Sequence, residues 1–334
     1  MSMMQFVEMR KSIPSSRPER PSALLGTGSG VPRHLLSLRK WRLRINRFVF
    51  TSHRVSSPRH GGRVVQGSLG EKIGEGVSAD VHAWAPGQVV KLFKSAASRR
   101  LGWHEAQKTD AVFAAGAPAP QVFGVVTPEG RLGIVLSRFD GATLLQLLRT
   151  GAMTPEQVGA TLAALCLATH NTPAPPDVLS LHDWMEVWLR SASGMVPKHI
   201  ATGVLALIER LSPGDELCHG DLHPGNVIMT AEGPRLVDWT GAIRGPAALD
   251  LAFSHIILAE FAAEVADDPA RPRAVNTALQ SEYARLAGLP PTALTAAIES
   301  YLPIVRVLFV LGGAFPARQE RLLQRVEAAL RSED

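Results

Sequence analysis

Cysteine is almost absent: the 334 residues include two, Cys166 and Cys218. They lie 52 positions apart with no His or Cys at metal-ligand spacing. That excludes a disulfide scaffold and a zinc site, and makes a reducing cytoplasm the expected setting. Long apolar runs are missing too. No stretch reaches the roughly 18–20 apolar residues that cross a bilayer, so no membrane association is expected. The best candidate, residues 301–315, carries Arg306 and reads as a buried helix. No apolar core of about 7–15 residues follows a charged start, so a signal peptide is excluded. Charged side chains make up only 19% and hydrophobic ones 46%. Disorder of the whole chain is thereby excluded, and a soluble globular protein of one large or two modest domains is expected.

What charge there is lies unevenly. Residues 1–65 carry 13 Lys/Arg against 2 Asp/Glu, and the rest 22 against 28, so the net charge of +5 belongs to the first fifth of the chain. A basic fold would point to nucleic acid. The folded body is acidic on balance, and no nucleic-acid partner is expected for it. The Ser-, Pro- and Arg-rich stretch 1–65 reads as a disordered basic tail or as an artefact of the start site, with Val55, Val64 or Val65 as the alternative initiator. A targeting peptide and a nucleic-acid arm are its remaining readings. No function is assigned to it.

From residue 66 the texture changes. Short β-like runs come first, at 68–73, 79–84, 89–93, 122–126 and 132–139, interrupted by one helical run, 96–115, that ends at Gly116 before two prolines. After Gly141 the pattern is mostly helical: 144–149, 155–170, 181–191, 202–211, 247–265, 274–287 and 292–330. A small strand set around 217–218, 227–229 and 235–237 breaks it. The expected plan is α+β in two lobes: an antiparallel-sheet lobe with one main helix, 66–139, and a larger helical lobe, 140–334.

The sharpest local pattern is His219-Gly220-Asp221-Leu222-His223-Pro224-Gly225-Asn226, followed twelve residues later by Asp238-Trp239. Asp221 and Asn226 sit on one tight loop that Pro224-Gly225 forces to turn. Asp238 ends the next short strand and can point back at that loop. An Asn and an Asp converging in this way suit Mg²⁺ bound together with phosphates. Asp221 is then free to orient an attacking hydroxyl and accept its proton. His223 and Pro224 read as residues that shape the loop, and Cys218 as a small core residue.

These residues resemble the catalytic and metal loops of the aminoglycoside phosphotransferase and choline kinase family, which has a protein-kinase-like fold; D-x₄-N is the kinase catalytic-loop spacing. The resemblance covers about residues 68–330. It implies that Asp221 is the catalytic base, that Asn226 and Asp238 hold Mg²⁺, and that His219, counted with the catalytic set, braces the loop. It also implies that the linker Leu136-Ser137-Arg138-Phe139-Asp140-Gly141 meets adenine, which places Ser137 and Phe139 at the nucleotide, and that Asp250 is a structural acid opening its helix.

Upstream features fall in matching order. Gly74 and Gly76 lie between two expected strands, where backbone N–H groups approach phosphate closely, and Ser78 offers a hydroxyl. Ala79 stands where the kinase pattern has its third glycine. Lys91 sits among apolar neighbours in Val89-Val90-Lys91-Leu92-Phe93. It reads either as a lysine on the solvent face of its strand or, catalytically, as the phosphate-binding partner of an acid. Leu101, Glu105 and Val112 share a helix face, whereas Asp110 falls about 140° away and is expected in water. Glu105 is therefore the inward acid for Lys91, the pair that a kinase uses to position α- and β-phosphates. Lys94 is expected on the surface.

The whole describes a Mg·ATP-dependent kinase acting on a hydroxyl, with GTP open as the donor. Only ten residues separate Trp239 from Asp250, too few for the activation segment of a protein kinase. The acceptor is therefore expected to be small: aminoglycoside-, choline-, sugar- or amino-alcohol-like. The acids Asp183, Glu186, Glu260, Glu264, Asp267 and Asp268 either favour a cationic acceptor or form a solvated face. Trp184 and Trp188 are core residues or a wall of the acceptor pocket. The competing reading is a nucleotide-binding regulatory module without turnover, which predicts loss of Lys91, Asp221, Asn226 or Asp238; all four are present. Oligomeric state is not legible.

Overall fold

The computed structural model describes residues 66–76, 78–94, 99–191, 194–312 and 316–332. The expectations for residues 1–65 lie outside them, as does the side chain of Leu101.

Five antiparallel strands form the first lobe: β1 (Lys72–Glu75), β2 (Ala79–Ala85), β3 (Gln88–Phe93), β4 (Val122–Val126) and β5 (Gly133–Ser137), in the order β1-β2-β3-β5-β4. The period-2 pattern explains the packing. Ala79, Phe93, Val122 and Ile134 turn one face inward against helix α1 (Arg99–Ala114), where Ala106 joins them in a small core. Gly102 lets α1 lie close to the sheet. Asp110, expected in water, is half-buried on α1.

The second lobe starts at β6 (Ala142–Thr143) and α2 (Leu144–Thr150). Both α2 and α3 (Pro155–His170) begin with a capping box, Thr143 with Gln146 and Thr154 with Gln157, and Gly151 closes α2 in the left-handed conformation. Helices α4 (Leu181–Ser191) and α5 (Lys198–Arg210) follow; α5 starts four residues before the expected position, directly after Pro197. Strand β7 (Glu216–Cys218) pairs with β10 (Ile243–Gly245), while β8 (Val227–Thr230) and β9 (Gly233–Leu236) form a separate hairpin onto which β6 adds. The sequence placed β7 with that hairpin. Its partner is instead the strand leaving the Asp238 turn, so the two loops between them are tied at both ends.

Helix α6 (Ala247–His255) continues through a π-helical stretch, Ile256–Ala262, into a last turn, Ala263–Val265. Then come α7 (Ala270–Ala287), α8 (Pro291–Leu311) and α9 (Gln319–Ser332). The single helix expected over 292–330 is two. Gly312 ends α8, and Pro316 opens a short turn before α9. By length and composition α8 would cross a membrane, but most of it is buried in the large core, and Arg306 on it is paired with Glu260.

Helices α3 and α7 cross so closely that a Cβ on Gly159 would lie 2.4 Å from the Ala278 Cβ and 2.7 Å from the Leu279 nitrogen. Two backbones cannot separate without opening the core around Leu162, Val275 and Leu279. Gly159→Val is therefore expected to lower unfolding free energy by about 1–3 kcal/mol, read as a shifted midpoint at constant m-value in urea denaturation.

Candidate active site

The loop after β7 is held from behind by one buried carboxylate. Asp250 of α6 accepts the backbone N–H of His219 at 2.9 Å on Oδ2 and that of Gly220 at 2.8 Å on Oδ1. Burial works against its charge, but the His170 ring and the two N–H groups hold its carboxyl below the usual range. His170 is in turn hydrogen-bonded to the Tyr283 hydroxyl at 2.8 Å, and Ser254 donates to the Leu222 carbonyl. Helices α3, α6 and α7 thus grip the loop.

His219 is wholly buried. Its Nε2 donates to the Val237 carbonyl, 3.1 Å away, and its Nδ1 accepts the Asp221 N–H. That pair defines a neutral ring with the proton on Nε2. Burial lowers its pKa despite the nearby carboxylates of Asp250 and Asp238. The ring packs edge-on against Trp239, so it joins the two loops and does not face the cleft. His223 is buried as well, its Nδ1 accepting the Gly225 N–H.

Gly220 has φ +74°, and a Cβ there would meet the Gly241 carbonyl oxygen at 2.3 Å. The Asp221 loop and the Asp238 turn therefore touch backbone to backbone. Gly220→Ala is expected to force them apart and lower kcat by at least about tenfold, as measured by steady-state kinetics.

Asn226 donates from Nδ2 to both the backbone carbonyl of Asp221 (2.8 Å) and its carboxylate Oδ2 (3.1 Å). Both partners are acceptors, which fixes the amide orientation and leaves Oδ1 pointing elsewhere. That oxygen is buried with no hydrogen-bond partner among the described residues. An orphaned carbonyl oxygen beside a carboxylate has the chemistry to hold a cation. The backbone carbonyl of Asn226 accepts the N–H of Val237, which puts Asp238 next to it.

Asp238 has φ 65° and ψ 64°, a left-handed conformation uncommon outside glycine. Lys91 reaches it from β3: Nζ lies 3.3 Å from Asp238 Oδ1 and 2.5 Å from Glu105 Oε1. Glu105 is buried, and Lys91 and Asp238 are half-buried, with only 13% and 6% of their side chains exposed. Burial alone would lower the Lys91 pKa, but Asp238 and Glu105 raise it, so the amine stays charged. Burial would likewise raise the Asp238 carboxyl, and Lys91 holds it well below the ordinary range. Glu105 goes upward, through burial and the Asp238 charge, with Lys91 opposing. Lys91 is thus the paired lysine of its two sequence readings. Lys94, at the end of β3, is exposed and bonds to Glu75.

The remaining nucleotide candidates stand as follows. Gly76 closes the β1–β2 turn, its N–H on the Ala79 carbonyl at 2.7 Å, and Gly74 sits opposite Val81. The Ser78 backbone accepts the Lys94 N–H. Ser137 exchanges bonds with Gln121: its N–H goes to the Gln121 carbonyl, and its hydroxyl accepts the Gln121 N–H. The Ser137 side chain is thereby turned towards β4. A cavity of about 480 Å³ at this linker is lined by Phe113, Pro118, Gln121, Ser137, Phe139 and Arg235, and by none of Gly74, Gly76, Ser78 and Lys91.

Four of the six acids singled out in the helical lobe are committed to structure. Glu260 is shared by Arg306 and Arg325, and Glu264 by Arg318 and Arg321. Glu186 pairs with Arg190, and Asp183 with the Ser180 hydroxyl. They do not form a free anionic surface for a cation. Trp184 and Trp188 stack on each other and pack against the large core.

A strand-rich lobe over a helical one, with a lysine–glutamate pair and two acid-bearing loops between them, defines a kinase-like phosphotransferase. The chain belongs to the phosphotransferase enzyme family, which it matches over residues 70–289. Comparison with curated proteins finds no match. Among solved structures, a choline/ethanolamine kinase family protein from Mesorhizobium loti is similar at 16% identity over 87% of this chain and 94% of that one, with a TM-score of 0.46. Choline kinase from Cryptosporidium parvum Iowa II is similar at 12% identity, with coverage of 80% and 89% and a TM-score of 0.48. A macrolide 2'-phosphotransferase from Brachybacterium faecium shares 18% identity, with coverage of 76% and 89% and a TM-score of 0.44.

Proposed function

We propose that the chain is a Mg·ATP-dependent kinase that moves a γ-phosphate to a hydroxyl of a small molecule, GTP being the alternative donor. One observation carries this reading: Glu105–Lys91–Asp238 and Asp221–Asn226, from four separate stretches of sequence, are brought side by side by the Val237 N–H on the Asn226 carbonyl, with the Asn226 Oδ1 unsatisfied. Asn226 and Asp238 would hold Mg²⁺, which when bound supplies charge neutralisation for the phosphates. Lys91, fixed by Glu105, binds phosphate oxygens. The Gly74–Gly76 turn covers them, and the linker backbone at Ser137 and Phe139 meets the base. Asp221, restrained by Asn226, orients the acceptor hydroxyl and takes its proton. His219 positions rather than reacts.

The small acceptor follows from the path of the chain. After the Asp238 turn it enters three-residue β10 and then α6 directly, with no segment to seat a peptide. Since Glu260 and Glu264 are neutralised within the lobe, a cationic acceptor gains no support from them.

The test is a screen of amino alcohols, aminoglycosides, sugars and nucleosides for transfer from γ-labelled ATP. Label moving to a hydroxyl compound, dependent on Mg²⁺ and absent in Asp221→Ala, is the expected result. Wild-type protein that binds neither ATP nor GTP in the presence of Mg²⁺ would defeat the reading.

A further inference from the structure

Lys108 lies one turn beyond Glu105 on α1, three residues on and therefore on the same helix face. Its Nζ donates to the carbonyl of Thr240 at 3.1 Å and to that of Ala242 at 3.0 Å, more than 130 positions away. It forms no ion pair among the described residues. Its ammonium is spent on two backbone carbonyls of the turn that begins at Asp238. The side chain is half-buried, and that burial brings its pKa down to about 8. Enclosing a charge without a carboxylate partner is costly, and here the two carbonyls offset the cost.

Two struts therefore run from one rigid helix to one short turn. The first passes from Glu105 through Lys91 to the Asp238 side chain. The second, Lys108, grips the turn's backbone two and four residues further on. Between them Asp238 holds left-handed backbone angles, which persist only where the surroundings over-determine them. From the other side the turn is held by His219 on the Val237 carbonyl, by the indole N–H of Trp239 on the Leu236 carbonyl, and by the Gly220 contact. Those partners all belong to the helical lobe. Lys108 adds a direct bond to the turn's backbone from the sheet lobe.

We propose that Lys108 is a positioning residue that, by holding the Thr240 and Ala242 carbonyls, keeps Asp238 in its metal-binding conformation and couples the placement of α1 to metal affinity. The proposal rests on the reading of Asp238 as a Mg²⁺ ligand. It predicts a loss specific to the metal-bound nucleotide, which a general packing role would not produce.

The experiment uses the full chain and ADP as probe, titrated calorimetrically with Mg²⁺ and again in EDTA, for wild type, Lys108→Met and Lys108→Arg. Methionine keeps the stem and removes the donors; arginine keeps donors. Lys108→Met is expected to weaken Mg·ADP binding by about tenfold and raise the Mg²⁺ concentration for half-saturation, with ADP in EDTA within about twofold of wild type. Lys108→Arg is expected to recover most of the loss. Unchanged Mg·ADP affinity in Lys108→Met overturns the proposal, and so does an equal loss with and without metal. Should Lys108→Met not fold, Lys108→Gln is read by the same criteria. A wild-type chain that binds ADP equally in Mg²⁺ and EDTA defeats the metal reading of Asp238 itself, and the role of Lys108 with it. Metal dependence that survives intact in Lys108→Met defeats only the latter.

Discussion

Asp221→Ala is expected to lower kcat by about 10²–10⁴-fold while nucleotide affinity changes little. The asymmetry comes from where the carboxylate sits. It belongs to the loop gripped by Asp250, where it accepts from Asn226 and lies 3.8 Å from the His223 Nε2. Removing it leaves the Lys91–Glu105–Asp238 group in place, so the phosphates keep their partners. What is lost is orientation and proton acceptance at the acceptor hydroxyl, which matter only as the bond forms. Steady-state kinetics alongside ADP titration separates the two effects. A variant that retains the wild-type rate would remove Asp221 from the mechanism.

Asp238→Ala acts on the other side of the reaction. Loss of partners around a bound metal typically costs 10–100-fold, so loss of the ligand itself is expected to weaken Mg²⁺-dependent nucleotide affinity by at least about 100-fold. Weak binding in EDTA should persist, because Lys91 retains Glu105 and the Gly74–Gly76 turn is untouched. The substitution also frees the backbone: alanine has less reason than aspartate to hold φ 65°. Asp238→Asn separates these contributions, since it keeps the shape and the tolerance for left-handed angles but removes the charge. If Asn restores metal dependence fully, the carboxylate charge is not what binds the cation. If Ala itself leaves Mg²⁺ dependence unchanged, the metal is held elsewhere.

How much of this was written in the chain differs from residue to residue. Asp221, Asn226 and Asp238 were legible because they lie on short loops at fixed offsets, where Pro224 and Gly225 leave little freedom. Glu105 could be chosen over Asp110 from helical spacing, and Lys91 from its apolar surroundings. Most strands and helices fell where period and punctuation put them, because local propensity and tertiary packing agree there. What stayed hidden depends on distant partners. Nothing near Asp238 announces left-handed backbone; that arises from His219, Lys108 and Gly220 meeting its turn from three directions. The pairing of β7 with β10 is a three-residue contact that no alternation pattern betrays. Asp250 was read as a structural acid opening its helix, and what that reading left hidden is that its carboxylate holds the Asp221 loop through two N–H groups. Lys108 did carry a signal, its spacing of three from Glu105, but an isolated lysine on a helix is ordinarily a surface residue. The break between α8 and α9 was marked by Gly312, Gly313 and Pro316, and strong apolar periodicity on either side masked it. The acids Glu260 and Glu264 mislead for a related reason: the arginines that neutralise them come from α8, α9 and the turn between, 46 to 65 positions later.

The most direct measurement is a crystal structure of the chain with Mn²⁺ in place of Mg²⁺ and a non-hydrolysable ATP analogue, read by the anomalous signal of the metal. The account predicts one peak within bonding distance of Asn226 Oδ1 and the Asp238 carboxylate, with Lys91 on the phosphates and Asp221 facing the terminal one. A nucleotide bound with its metal away from both residues, or phosphates lying outside the cleft between Lys91 and Asp221, would contradict it.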